Sequence, residues 1–279
     1  MSETATHATK SVTEYLGSLV WDGTPRLDRW LIEYAGAEDS SHVRSASRAI
    51  LIAAVRRARN PGCRFDQLPV IDGPQGSGKS AALRTLAVDP AWFSDEPLDL
   101  TNFRQILEST KGKWIVEATE LESLFQRPRS VVDADDDAED TEADGEDKDE
   151  DEDVAEDDDD DEGGGDEGGG DEGGGDEGGG DDLPPAAALK SFLSRQIDEA
   201  RMPYQTERTR VPRPFVIVGT TAATPYLKDM TGNRRIWLIR VERFDLVRLA
   251  EVRDQLWAEA AVAEASGESI DLAPTVASA

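Results

Sequence analysis

The residues with the clearest chemical potential stand together, as Gly73-Pro74-Gln75-Gly76-Ser77-Gly78-Lys79-Ser80. They match the pattern G-x-x-x-x-G-K-[ST] at every fixed position. Glycines let the backbone wrap around phosphate groups, with its N–H groups pointing inward and the positive end of the next helix beneath them. We expect Lys79 to reach the β- and γ-phosphates and Ser80 to ligate Mg²⁺. The segment therefore predicts a P-loop that binds ATP and Mg²⁺, the alternative being a structural glycine turn.

A P-loop needs a carboxylate from a neighbouring strand to hold Mg²⁺ and orient the attacking water. The best candidate follows the apolar run 114–116, where Glu117 comes first and Glu120 three residues later. We assign Glu117 to the metal and Glu120 to the general base or the positioning of water. The two roles could be exchanged, and Glu120 could instead face solvent at the start of a helix.

Two more segments could complete such a site. Thr220 and Thr221 follow the apolar run Phe215–Val218, and a polar side chain there, Thr221 in particular, could sense the γ-phosphate. A turn that ends the strand is the alternative. Arg234 and Arg235 follow a glycine turn and could supply an arginine finger, in cis or to a neighbouring subunit. They could equally lie on a plain surface hairpin.

The elements that must position these residues alternate between strand and helix. Apolar runs predict strands at Leu68–Asp72, Trp114–Val116, Phe215–Val218 and Ile236–Val241. Helical patterns occur at about 11–60 with a break at 21–25, at Lys79–Ala87, at Ala186–Arg201 and from Asp245 to about Ala265. This alternation predicts an α/β P-loop NTPase fold, with a mainly parallel sheet flanked by helices and a small helical region at the N-terminus.

One segment breaks the pattern. Residues 133–182 hold 30 of the 59 acidic residues, with Lys148 as the one basic residue, and four Asp-Glu-Gly-Gly-Gly repeats occupy 161–180. Self-repulsion and glycine entropy predict an extended, disordered insertion. We therefore divide the chain into five parts. They are an N-terminal helical region (1–62), a first part of the ATPase core (63–127), the acidic insertion (128–183), a second part of the core (184–267) and a C-terminal tail (268–279).

Charge and composition restrict the partners and the compartment. Outside 133–182 the acidic and basic residues balance at 29 each, so the overall charge of −29 does not exclude a nucleic-acid partner. With a lone cysteine, Cys63, and no long apolar segment, we expect a cytoplasmic protein without a membrane partner. The six tryptophans are expected in the core.

Arginines cluster in two places that could contact a nucleic-acid backbone, with Tyr204 available for stacking on a base. The arginines are Arg56, Arg57 and Arg59 on the long helix, and Arg201, Arg208, Arg210 and Arg213 before the third strand. A solvated helix face and loop explain them as well.

Several motifs in this order resemble the virulence-associated E family. They are residues 21–31 (WDGTPRLDRWL), the P-loop, 113–117 (KWIVE) with Glu120-Leu121, 194–198 (SRQID) and 231–235 (TGNRR). That family comprises P-loop ATPases similar to superfamily 3 helicases, found in phages and mobile islands, often beside or fused to a primase. The resemblance implies an ATP-driven motor on single-stranded or forked DNA in a bacterial host cell. It also implies a homo-oligomeric ring, in which one subunit's arginine completes its neighbour's site. If a primase or another replication protein acts with the chain, we expect it to be a separate chain.

The sequence departs from the family at two points. Ala222 stands where the family usually has a sensor asparagine, so γ-phosphate sensing falls to Thr221 or is weakened, and the acidic insertion is extra. An ATP-gated binding module, whose polyanionic tract mimics DNA or captures basic proteins, is therefore the rival function. A small-molecule kinase would share the P-loop but yield a phosphorylated product. We also hypothesise that the insertion competes with DNA for the basic segments, a solubilising loop being the alternative.

Overall fold

The structure, a computed structural model, describes residues 11–100, 102–119, 185–201, 207–222 and 235–271, all within one compact unit. The helices are α1 (Val12–Gly17), α2 (Trp30–Ala35), α3 (Ser41–Arg59), α4 (Lys79–Ala87), α5 (Phe103–Ser109), α6 (Pro185–Ser194) and α7 (Leu246–Ala265). The strands are β1 (Leu68–Asp72), β2 (Phe93–Ser94), β3 (Ile115–Ala118), β4 (Ile197–Arg201), β5 (Arg208–Pro212), β6 (Val216–Thr221) and β7 (Ile236–Arg240).

A parallel sheet in the order β2-β3-β6-β1-β7 forms the centre of the described chain. On β1, Val70 lies between Gly219 of β6 and Leu238 of β7. All of β1 is buried, as expected of a parallel strand with both faces covered. The predicted fold class, a mainly parallel sheet flanked by helices, is confirmed. Because every strand runs the same way, their carboxyl ends meet at one edge.

Helices cover the two faces of the sheet unequally. One core contains Ile71 of β1 and apolar residues of α2, α3, α4 and α7, and a smaller one contains Val70 and apolar residues of α5 and α6. Trp114 belongs to the larger core, where its ring centroid lies 4.2 Å from that of Trp257 and its Nε1 donates to Ala54 O at 2.9 Å. The expectation of core tryptophans is confirmed for Trp30, Trp92, Trp114, Trp237 and Trp257. It is wrong for Trp21, which is only half-buried and donates to Thr24 O within its own loop.

The predicted helix Ala186–Arg201 is wrong in its second half. Helix α6 ends at Ser194, and Ile197–Arg201 is a strand, β4, that pairs antiparallel with β5. The two strands form a ribbon separate from the main sheet. The buried ion pair of Asp198 with Arg213 fixes the base of this ribbon. Local strand or helix propensity could not predict this contact, because it joins two separate segments.

Two predicted strands have different limits. The strand predicted at Trp114–Val116 runs from Ile115 to Ala118, so Glu117 lies within it rather than after it. Strand β6 continues through Thr221, so both threonines belong to the sheet and not to a terminating turn.

The predicted division into five parts stays a prediction, because 120–184 lies outside the described residues. The helices α1 to α3 of the predicted N-terminal region belong to the same unit as the sheet. Among the described residues, no helix combines the length and apolar character needed to cross a membrane.

Candidate active site

The segment 73–80 connects β1 to α4 at the carboxyl edge of the sheet. Two glycines there are needed for steric reasons. A Cβ on Gly73 would lie 2.7 Å from Val241 O, and Gly78, the N-cap of α4, has a φ of 87° that side-chain-bearing residues rarely adopt. The sequence pattern therefore produces the tight strand-to-helix turn that a P-loop requires.

The Lys79 ammonium lies across this loop. Its Nζ donates to Gly73 O at 2.7 Å, to Pro74 O at 2.9 Å and to Ser77 Oγ at 3.3 Å. Burial lowers the pKa of Lys79 from its ordinary value, and the nearby carboxylates of Asp72 and Glu117 oppose that change. A phosphate group held by the loop would offer this ammonium anionic acceptors in place of neutral carbonyls.

Glu117 is the chemically distinctive residue of this edge. It is fully buried, and its Oε1 accepts hydrogen bonds from Ser80 Oγ at 2.7 Å and Thr220 Oγ1 at 2.6 Å. Its other oxygen, Oε2, is buried and has no hydrogen-bond partner. The strand order explains why these side chains are in contact. Strand β6 lies between β1 and β3, and it brings Thr220 close to Glu117 of β3.

The residues present fit a Mg²⁺ ion. This cation prefers oxygen ligands and is usually held by one or two carboxylates together with substrate phosphates and water. Ser80 and Glu117 provide a hydroxyl and a carboxylate with one oxygen still available. The described residues contain no group of three or more His, Cys, Asp or Glu suited to a metal, so a dedicated all-protein cage is absent from that part of the chain.

The two threonines of β6 occupy different surroundings. Thr220 faces Glu117, whereas Thr221, one residue on, projects from the other face of the strand. The carbonyl of Thr221 accepts from Gly73 N at 3.2 Å, which ties β6 to the start of the loop. The sensing role of Thr221 stays a prediction. Sequence reasoning missed the contact of Thr220 with Glu117. The alternation of side chains between the two faces of an extended strand could have shown that Thr220 and Thr221 point in opposite directions.

Arg235 lies at the opposite, amino edge of the sheet. Its carbonyl accepts from Leu68 N at 2.7 Å, at the start of β1. Its guanidinium donates to Lys190 O at 2.9 Å and Ser194 Oγ at 2.8 Å, and lies 3.5 Å from Asp66. The length of β1, at about 3.3 Å per residue, separates it from the P-loop of its own chain. The structure therefore does not bring Arg235 to the P-loop of its own chain, and its finger role stays a prediction.

Two other residues predicted for the site, Glu120 and Arg234, lie outside the described residues, as does Tyr204. Their roles stay predictions.

Two arginines predicted as possible backbone contacts are buried instead. Arg57 is 2% exposed and donates to Phe65 O and Phe215 O, and burial lowers its pKa to about 10. Arg213 is 1% exposed and pairs with Asp198. For these two the predicted nucleic-acid contact is wrong, because both guanidiniums hold protein segments together. Arg208 and Arg210 of the ribbon are exposed, and Arg210 forms an ion pair with Glu199.

Together these features define a class. A tight glycine turn between a parallel strand and a helix, with a buried carboxylate facing the serine that starts the helix, is the arrangement expected of P-loop α/β proteins. The family model described as the virulence-associated protein E-like domain matches residues 16–133 and 185–278. The chain belongs to this family, and the resemblance drawn from its motifs is confirmed.

Other comparisons add little. No curated protein matches the chain. It is similar to a solved chain described as "The A form apo structure of NrS-1 C terminal region-CTR", with 11% identity and a TM-score of 0.47. That likeness covers 88% of this chain and 47% of the other, so the chain spans about half the length of its structural relative.

Proposed function

We propose that the chain binds ATP with Mg²⁺ at residues 73–80, hydrolyses it, and works as a helicase-like motor on DNA during replication of a phage or mobile element. Membership of the virulence-associated protein E-like family supports a role in the replication of a phage or mobile element. The observation that carries the chemistry is Glu117, whose buried Oε2 lacks a partner while Ser80 and Thr220 hold Oε1.

Each residue of the edge then has a role. Backbone N–H groups within 75–80 and the Lys79 ammonium hold the β- and γ-phosphates, and Ser80 and Glu117 hold the metal. A Mg²⁺ ion held there would supply positive charge against the charge that develops on the phosphates. Thr220 fixes the orientation of Glu117, and Glu120 serves as the general base or orients the attacking water.

The neighbouring subunit supplies the arginine. Arg235 lies at the amino edge of the sheet, and Arg234 precedes it in the chain. Since β1 separates Arg235 from its own loop, a finger from this segment acts in trans, which favours a homo-oligomeric ring. A primase or another replication protein is the partner we propose.

The ribbon is the proposed DNA contact. Arg201, Arg208 and Arg210 lie on its two strands and are exposed. Glu199 offsets part of this charge, since it lies 3.1 Å from Arg210 and 4.0 Å from Arg208. An exposed basic ribbon suits a sequence-independent contact with phosphates.

Turnover with and without single-stranded DNA tests the function. The purified chain should hydrolyse ATP faster when DNA is present, and Lys79→Ala should abolish both rates. Turnover that DNA leaves unchanged would contradict the motor, and turnover unaffected by Lys79→Ala would contradict the site.

A second measurement tests the ribbon. Arg208→Ala with Arg210→Ala should weaken binding to single-stranded DNA and flatten the dependence of affinity on salt, because fewer counterions are released. Arg104→Ala, an exposed arginine of α5, is the control. Equal affinities for the two variants would exclude the ribbon.

Ala222 favours a second candidate function, an ATP-gated binding module with weak hydrolysis. Its side chain has no hydrogen-bonding group to offer a γ-phosphate at the end of β6. In that case residues 133–182 would mimic DNA or capture basic proteins. Nucleotide-dependent binding of a protein partner without unwinding would support this function, and duplex unwinding would contradict it.

A further inference from the structure

A cavity of about 390 Å³ lies at the amino edge of the sheet, at the other end of β1 from the P-loop. Three arginines from separate parts of the chain line it. They are Arg56 of α3, Arg64 of the loop before β1, and Arg235 directly before β7. Guanidiniums that converge on one cavity from three directions favour an anionic ligand.

A buried carboxylate holds two of these guanidiniums together. Asp66 is 8% exposed, and its Oδ2 lies 3.0 Å from Nη2 of Arg64 and 3.5 Å from Nη2 of Arg235. One carboxylate offsets only one of the two positive charges beside it. With Asp271 as the second acid of the lining, three cations face the cavity against two anions.

Two of the arginines have hydrogen-bond donors to spare. Among the described residues, the side chain of Arg56 donates only to Glu268 O, and that of Arg64 only to Asp66. Each of these contacts uses one nitrogen of a guanidinium, which carries several N–H groups. The remaining donors of both arginines are therefore open to a ligand.

The arrangement suits a phosphate better than a carboxylate. A planar carboxylate is matched by a single guanidinium, as Asp198 is by Arg213. A phosphate has oxygens in several directions, so it can accept from guanidiniums of different elements at once. The volume of the cavity lies in the range of small-molecule pockets, so part of the molecule that carries the phosphate also fits.

The loop that carries Arg64 is attached to the base of the ribbon. Gly62 N donates to Arg213 O at 3.0 Å, directly after the end of β5. Strand β5 also carries the exposed Arg208 and Arg210. A nucleic-acid strand bound along the ribbon is thus one possible source of the phosphate, and a free nucleotide is the other.

We propose that this cavity binds a phosphate group through Arg56, Arg64 and Arg235, at a site separate from the P-loop. Asp66 positions two of the three guanidiniums and does not contact the ligand. The site is additional to the proposed ATP site, so its failure would leave ATP binding at 73–80 untouched.

Isothermal titration calorimetry with inorganic pyrophosphate, without Mg²⁺ and in a Lys79→Ala background, tests the site. The background weakens phosphate binding by the P-loop, so the remaining affinity reports on other sites. Adding Arg64→Ala should raise the Kd about tenfold, because charge-assisted hydrogen bonds are lost. Adding Arg104→Ala, an exposed arginine that also pairs with a carboxylate, should leave it unchanged.

Two checks accompany this comparison. Since the side chain of Arg64 is 75% exposed, thermal unfolding of its variant should match that of the background chain. Arg235 is left unchanged, because it is also the candidate arginine finger.

Two further probes, AMP and a single-stranded oligodeoxynucleotide, identify the source of the phosphate. Weaker binding of the oligodeoxynucleotide to the Arg64→Ala variant would assign the site to a nucleic-acid strand. Weaker binding of AMP alone would assign it to a free nucleotide.

Three outcomes would overturn the proposal. The first is a pyrophosphate Kd that is equal in the Arg64→Ala and Arg104→Ala variants. The second is a background chain that binds no pyrophosphate. The third is an effect of Arg64→Ala on a polyglutamate peptide alone, which would make the cavity a site for an acidic protein.

Discussion

Glu117 and Asp198 are two buried carboxylates with opposite surroundings. Asp198 is 4% exposed, and both of its oxygens accept from the guanidinium of Arg213, one of them from Nε at 2.9 Å. Glu117 has two hydroxyl donors on one oxygen, nothing on the other, and no ion pair with a described residue.

The difference distinguishes a carboxylate with a structural role from one that is available for chemistry. Asp198 meets a permanent cation, so its charge is compensated and the pair fixes the base of the ribbon. Glu117 accepts hydrogen bonds only from neutral hydroxyl groups, which suits the proposed role of holding a cation. Of these two buried carboxylates, the one with an oxygen that lacks a hydrogen-bond partner lies at the candidate active site.

The largest expected effect is on hydrolysis. Glu117→Gln keeps the shape of the side chain but removes its charge, and turnover should fall by about 10²–10⁴-fold. The gain in thermal stability on adding ATP with Mg²⁺ should shrink as well. Glu199→Gln, an acid of β4, should leave both unchanged. Parental turnover in Glu117→Gln would make Glu117 as structural as Asp198.

The next effect is on stability. Asp198→Ala leaves Arg213 buried and unpaired, and should cost about 3–5 kcal/mol of unfolding free energy in a denaturant titration. Asp198→Leu with Arg213→Met removes both charges and should regain most of that loss. An unchanged midpoint for the single variant would show that the pair does not hold the ribbon.

A smaller effect concerns the positioning of Glu117. Thr220→Val removes one of its two hydroxyl donors and should lower kcat about tenfold with KM unchanged, since the contact orients the carboxylate and touches no substrate. Thr220→Ser retains the hydroxyl and should restore turnover. Equal rates for the valine and serine variants would show that the hydroxyl is irrelevant.

The smallest expected effect is an increase in turnover. Ala222→Asn adds an amide at the end of β6, and one new hydrogen bond to a transition-state phosphate should raise turnover about fivefold. Ala222→Leu, which has similar bulk but no amide, should not. No gain with asparagine would indicate that hydrolysis does not depend on a polar group there.

The sequence predicted what depends on local chemistry. The pattern at 73–80 predicts a turn between a strand and a helix, and Gly78 there adopts a left-handed conformation directly before α4. Glu117 was identifiable as a polar residue at the end of an apolar run. The parallel sheet followed from the alternation of strands and helices.

What could not be predicted depends on distant partners. The contact between Thr220 and Glu117 needs β6 to lie beside β3, and strand order is not encoded in either segment alone. Strand β4 was assigned to a helix because its pairing is decided by β5 and by Arg213, 15 residues from Asp198. Arg57 looked like a surface charge because its acceptors lie on other segments.

Strand β6 starts three residues after Arg213, at the anchored base of the ribbon, and carries Thr220 close to its other end. From Val216 to Thr220 the strand extends about 13 Å, at roughly 3.3 Å per residue, and a sheet strand does not stretch. A displacement of β6 along its axis would carry Thr220 with it and change the geometry of its 2.6 Å hydrogen bond to Glu117. The chain thus contains a short, stiff connection between the base of the ribbon and Glu117.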